Sequence, residues 1–192
     1  MMEFVINTGI ILDIIDLYKN NITEPRNSFD VNLFKLKNMI EQGEITPIIT
    51  PTIMREISYG SKFDRGFGEA YTNRYFTEIP FTEYMSDKSL LMADGYGNYL
   101  INQEFPAIPE AEDYLCKNYN KARIVGEVAV LEKKLGKVIP FITHNSDGVF
   151  DFRKINYINE RNNIPELHIH TLKGLGHAIN IAKSSKQDKS NN

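Results

Sequence analysis

Phe4-Val5-Ile6-Asn7-Thr8-Gly9-Ile10-Ile11, near the start of a 192-residue chain, is the stretch that decides the fold. Three consecutive apolar residues suit a strand buried on both faces, and Asn7-Thr8-Gly9 ends the run at a helix start. From Gly9 onward Ile10, Ile11, Ile14, Ile15 and Tyr18 recur at helical spacing, while Asp13, Asp16 and Lys19 fall elsewhere. A strand, a tight turn and an amphipathic helix make the opening of a βα unit.

Working outward, a second helix begins near Ser28, read as its N-cap, carries Val31, Phe34, Leu36, Met39 and Ile40, and stops near Gly43. Ile45-Thr46-Pro47-Ile48-Ile49 is the next strand. Thr50-Pro51 reads as N-cap and first residue of a short helix through Ile53, Arg55, Glu56 and Ile57. The order β-α-α-β-α predicts a three-layer α/β/α fold with a central, mainly parallel sheet. Ser58 to Phe105 is rich in glycine and aromatics with mixed periodicity, and reads as helices and loops, an insertion or a cap. Glu110 to Leu135 forms one long helix or two abutting ones, with Lys121, Ile124, Val125, Val128, Leu131 and Leu135 on one face. Gly136 ends it, Val138 to Ile142 is a buried strand, and Leu167 to Thr171 is a last strand before a terminal helix. One domain over 1–183 is expected, with 58–105 as the insertion and 184–192 as a frayed polar tail.

In open parallel sheets, functional groups gather beyond the carboxyl ends of the strands. Asn7-Thr8, Thr50 to Glu56, and Thr143 to Asp147 each follow a predicted strand, so groups distant in sequence are expected on one edge. Such an edge can hold a hard cation with carboxylates, amide oxygens and waters.

These segments carry a resemblance. Val5-Ile6-Asn7-Thr8-Gly9-Ile10-Ile11 resembles the first motif of PIN domains, an apolar strand followed by Asp-Thr. Pro51 to Ile57 is similar to their second, a helix presenting a glutamate. Lys121-Ala122-Arg123-Ile124-Val125 resembles the third, an Asp-Ala-X-Ile helix start. Phe141 to Asp147 resembles the fourth, a strand ending in Thr-X-Asp or Thr-X-Asn with another acid two residues on. The resemblance spans both ends of the chain and not Ser58 to Phe105. It implies a Mg²⁺- or Mn²⁺-assisted endoribonuclease, a toxin of a toxin–antitoxin pair, in which metal-bound water attacks a phosphodiester. Glu56 and Asp147 would be charged ligands, Asn7 and Asn145 neutral ones, and Thr8, Thr143 and His144 would meet or orient the substrate. RNA and a protein antitoxin are the implied partners, with a homo-oligomer also open.

The chain departs from that pattern at Asn7 and Lys121, where aspartates are expected. Lys121 shares a face with Ile124 and Val128, which points it inward, and a buried ammonium needs a partner such as Glu56. It then reads two ways: as a charge standing where a cation would bind, or as a lysine whose stem covers the core. Glu127 is a reserve acid, since Asp113, Asn120 and Glu127 are seven apart and align on one helix face. A second function class follows, a catalytically inert PIN-like module that binds RNA or a protein. Asn7-Thr8 also reads as a plain helix cap, and Asn145 with Asp147 as a turn. His168 and His170 share a strand face without a third histidine in sequence range, a weak zinc signal.

Composition narrows the rest. There are 22 basic and 25 acidic side chains, net charge −3, which lowers the expectation of a protein that coats nucleic acid by charge alone. Cys116 is the single cysteine, so no intrachain disulfide forms. No apolar run approaches the roughly 20 residues that span a bilayer, and Met1-Met2-Glu3 lacks the basic start of a signal peptide. A cytoplasmic protein is expected.

Overall fold

The computed structural model describes residues 1–25, 27–59, 65–78, 111–144, 160 and 166–190. Its elements in chain order are β1 (Met2–Ile6), α1 (Thr8–Lys19), α2 (Ser28–Glu41), β2 (Ile45–Ile49), α3 (Pro51–Tyr59), α4 (Arg65–Tyr75) and β3 (Thr77–Glu78). There follow α5 (Ala111–Leu135), β4 (Phe141–Thr143), β5 (Ile169–Thr171), a 3₁₀ turn over Leu172–Gly174, and α6 (Leu175–Ser190). The five strands form one sheet in the order β3-β2-β1-β4-β5, and every pairing among the described residues is parallel. Val5 pairs with Ile48 on one side and Phe141 on the other, so the first strand is the middle of the sheet.

That position explains the composition of β1. A central parallel strand is covered on both faces, and Phe4, Val5 and Ile6 are all fully buried. Ile10, Ile11, Ile14 and Ile15 of α1 pack onto the sheet together with Leu36 and Ile40 of α2 and Ile53 and Ile57 of α3. Ile124, Val125, Val128 and Leu131 give α5 a buried face in the same core, and α6 adds Leu175, Ala178, Ile179 and Ala182. The predicted three-layer α/β architecture is what the chain adopts. Gly43 and Gly136 have φ of +72° and +59°, the left-handed conformation that lets the chain leave α2 and α5.

Three details differ from the sequence reading, and a fourth decides an alternative it left open. The cap of α2 is Asn27, whose Oδ1 accepts from Asp30 N at 3.0 Å, one residue before the expected Ser28. α4 and β3 lie within the stretch read as an insertion, yet β3 extends the sheet beside β2 and Tyr71 of α4 is 1% exposed. Tyr71 packs its ring against Tyr18, Tyr75 and Phe76, so these aromatics serve the core. α5 is one helix. Finally, α6 continues through Ser190, where a frayed tail was expected; the segment is polar but has neither proline nor glycine to stop it. Among the described residues no helix is long and apolar enough to cross a membrane.

Candidate functional site at the carboxyl edge of the sheet

Because all strands run the same way, Asn7, Thr50, His144 and the end of β5 emerge on one edge. Asn7 caps α1: its backbone is extended and its Oδ1 accepts from Gly9 N at 3.1 Å. The next residue, Thr8, donates its hydroxyl to Glu56 Oε2 in a short hydrogen bond. Residues 48 positions apart in sequence are thereby joined across the ends of β1 and β2. Glu56 is half-buried, so its carboxylate is held and still reachable.

On the β4 side, His144 Nε2 lies 3.1 Å from Asp13 Oδ2 of α1. The hydrogen bond to Asp13 pushes the His144 pKa up, and partial burial opposes it. The ring packs so closely over Gly9 that a Cβ there would sit 2.7 Å from His144 Cδ2. Glycine at position 9 is what lets the fourth strand's end approach the first helix.

A second cluster lies deeper, between α3 and α5. Glu127 is 1% exposed, and its carboxylate accepts from Thr52 Oγ1 at 2.6 Å and Thr52 N at 3.2 Å. It thus satisfies an amide in the first turn of α3, a role expected of Thr50. Thr50 Oγ1 is buried without a hydrogen bond of good geometry, although it is near enough to Glu127 to ease its charge. Arg123 Nε stands 3.6 Å from Glu127 Oε1, one helical turn away on α5. Burial drives the Glu127 pKa up, while Thr50, Thr52 and Arg123 act against that rise. One turn further, Arg55 Nη2 donates to Asn120 Oδ1 at 2.9 Å. Asn120 and Glu127 do share the helix face predicted for them, and it faces α3.

The predicted site residues therefore divide. Asn7, Thr8, Glu56 and His144 come to the sheet edge. Thr143, at the end of β4, is only 2% exposed. Glu127 is buried and its carboxylate accepts from Thr52, with Arg123 Nε 3.6 Å away. Lys121 is exposed rather than inward-facing. Among the described side chains of α5, Ile124 and Val128 on the same face are buried while Lys121, a turn earlier, is exposed. Asn145 and Asp147 follow β4 directly but lie outside the described residues, as does most of 58–105. The residue that sequence reasoning passed over is Arg123. The signal was available, since Arg123 and Glu127 stand at i and i+4, the spacing of a helical ion pair.

Toward a divalent cation, the described donors at the edge are the Glu56 carboxylate and the second lone pair of the Asn7 amide oxygen. Among the described residues no three His, Cys, Asp or Glu side chains converge on one metal-sized point. At β5 the rings of His168 and His170 stack 6.3 Å apart and His177 meets His170 edge-on at 5.3 Å. Burial and neighbouring imidazoles lower the His170 pKa to about 4.

No protein-family model matches the chain, and neither does any curated protein. Among solved structures it is similar to the crystal structure of VapBC2 from Rickettsia felis bound to a DNA fragment from their promoter. The two are 15% identical, the match covers 88% of this chain and 98% of that one, and the TM-score is 0.49.

Proposed function

We propose that the chain is a PIN-type endoribonuclease assisted by Mg²⁺ or Mn²⁺, acting as the toxin partner of a protein antitoxin. The observation that carries this reading is the Thr8–Glu56 hydrogen bond at the carboxyl edge of the sheet. It brings the first and second motifs of the PIN resemblance together around a reachable carboxylate, on the edge where ligands of open parallel sheets bind. Glu56 and Asn7 would hold the ion, with Asn145 and Asp147, the residues that follow β4, completing the set. A divalent ion there supplies Lewis acidity to a phosphodiester and lowers the pKa of bound water. Thr8 fixes the rotamer of Glu56, and Asp13 favours the protonated form of His144 at the same edge.

The test is cleavage of mixed single-stranded RNA by the full chain with Mn²⁺ and with chelator. Cleavage that needs Mn²⁺ and falls at least about a hundredfold in Glu56→Gln supports the reading. Cleavage by Glu56→Gln at the wild-type rate, or none by the wild type, refutes it. The second reading, a catalytically inert module that binds RNA or a protein, is favoured by one observation: the positive charge of Arg123 already sits on the buried acid Glu127. RNA binding or antitoxin binding without any cleavage would establish that alternative.

A further inference from the structure

We propose that Glu127 is a positioning residue for Glu56: by tying the first turn of α3 to α5, it sets where the Glu56 carboxylate stands at the sheet edge. The task of Glu56 rests on the ribonuclease reading above, whereas the tie is read from hydrogen bonds alone.

The tie sits at the start of α3. Thr50 is the N-cap, since its carbonyl accepts from Met54 N at 2.9 Å. A threonine in this position ordinarily turns its hydroxyl oxygen onto the free amides of the first turn. Here Thr50 Oγ1 is buried without a hydrogen bond of good geometry. Thr52 N donates instead to Glu127 Oε2 at 3.2 Å, and Thr52 Oγ1 donates to Glu127 Oε1 at 2.6 Å. Both oxygens of one carboxylate are thus engaged by one residue, and a two-point contact fixes orientation as well as distance. Thr52 and Glu127 are 2% and 1% exposed, so water does not compete for either bond.

The link from Thr52 to Glu56 is the helix itself. The two residues stand four apart, on one face in successive turns of α3. That helix packs against both α5 and α1. Its first turn is held to α5 through Thr52, and its next turn is held to α1 through the Thr8 hydroxyl on Glu56. A rotation or slide of α3 that opened the first contact would carry Glu56 off Thr8. Glu127 therefore acts on the sheet edge through α3, without approaching it.

Helix formation alone does not call for this tie. Burial drives the Glu127 pKa up, which puts the charged form at a disadvantage. α3 is nine residues long and begins with Thr50 as a local cap and Pro51 as a favourable first residue. Neither needs an acceptor from 75 positions away. What only the distant acceptor supplies is a fixed relation between α3 and α5.

The experiment compares the full wild-type chain with Glu127→Leu, Glu127→Gln, Thr52→Val and Thr52→Ser. Glu127→Leu fills the space without an acceptor, and Thr52→Val removes the hydroxyl. Glu127→Gln keeps an acceptor for Thr52 N and offers an amide hydrogen to Thr52 Oγ1, and Thr52→Ser keeps both bonds. Two quantities are read. The first is steady-state cleavage of single-stranded RNA at saturating Mn²⁺, well below the Tm of each protein. There kcat falls on the order of a hundredfold in Glu127→Leu and about tenfold in Thr52→Val, as a displacement of about 1 Å can cause, while KM is unchanged. Glu127→Gln and Thr52→Ser keep the wild-type kcat. The second is the Thr8 methyl resonance in proton–carbon NMR without metal, which reports the Thr8–Glu56 contact. It moves in Glu127→Leu and Thr52→Val and stays in Glu127→Gln and Thr52→Ser. Ile179→Ala, a core cavity in α6, loses stability but keeps both kcat and the resonance.

If Glu127→Leu does not fold by circular dichroism, Thr52→Val decides. A folded variant without the tie that cleaves at the wild-type kcat overturns the proposal and leaves the ribonuclease reading intact. Glu127→Gln losing as much kcat as Glu127→Leu overturns it too, because the role then belongs to the charge. If the wild type does not cleave but the Thr8 resonance moves as stated, the tie positions Glu56 and only the ribonuclease reading fails. If the wild type does not cleave and the resonance stays in every variant, both are wrong.

Discussion

Glu132, in the last turns of α5, makes the most quantitative test of the interior. It is 7% exposed, and its Oε1 accepts from Ile139 N at 2.7 Å, tying the end of α5 to the approach of β4. Burial raises its pKa from 4.5 to about 7, against the lowering effect of the Ile139 amide. The unfolded chain therefore loses this proton first as pH rises, and the folded state becomes less favoured between about pH 4.5 and 7. At about 1.36 kcal/mol for each pH unit, the charged carboxylate costs the fold about 3 kcal/mol above pH 7 and nothing below pH 4.5. Glu132→Gln keeps an acceptor for Ile139 and removes the charge. Urea unfolding followed by circular dichroism from pH 5 to pH 8.5 should show the variant gaining on the wild type as pH rises. The gain at pH 8 should be on the order of 3 kcal/mol, or roughly 6–12 °C in Tm for a chain of this size. Other groups titrate in this range, so the informative quantity is the difference between the two proteins. A difference that stays constant with pH, or one that grows toward acid, would show that Glu132 is not a buried acid of this kind.

Three further outcomes are expected. Asp13→Asn should return the His144 pKa toward 6.5 in an NMR titration, since the Asp13 hydrogen bond is what raises it; the pair's support for the fold is present below about pH 6.5 and fades as pH rises through the folded value. Gly9→Ala puts a methyl 2.7 Å from His144 Cδ2 and 3.0 Å from Nε2, so it should displace the ring from Asp13, lower the same pKa, and destabilise by about 1–3 kcal/mol in urea unfolding. Thr52→Val removes the 2.6 Å hydroxyl bond to Glu127 and should cost about 1.5–3 kcal/mol, measured the same way.

Strands and helices of the described core were legible because their apolar periods are clean. Phe4 to Ile6 could only be buried, and Ile10, Ile11, Ile14 and Ile15 could only form one helix face. β3 was not legible, since two residues carry no period and Thr77-Glu78 gains strand character solely by pairing with Ile48 and Ile49. At the site, strand ends located Asn7, Thr8, Glu56 and His144, and helical spacing correctly put Asn120 with Glu127. Period alone misplaced Lys121, because a helix face says which side a residue is on but not whether each position on that side is covered. Arg123 shows the converse limit. Its i, i+4 partner Glu127 was legible, but the anchoring of Glu127 by Thr52 of another helix is a contact across 75 positions that no local pattern contains.

The central place of β1 has a consequence for synthesis. β1 can pair with β2 once Ile49 has left the ribosome, but its other edge awaits Phe141 and Ile142, more than ninety residues later. Through that interval Phe4, Val5 and Ile6 belong to a half-built sheet with an open row of amide and carbonyl groups, the kind of edge that recruits foreign strands. A nascent chain of this protein is thus most exposed to aggregation just before β4 is made, and chaperone dependence should peak in that window.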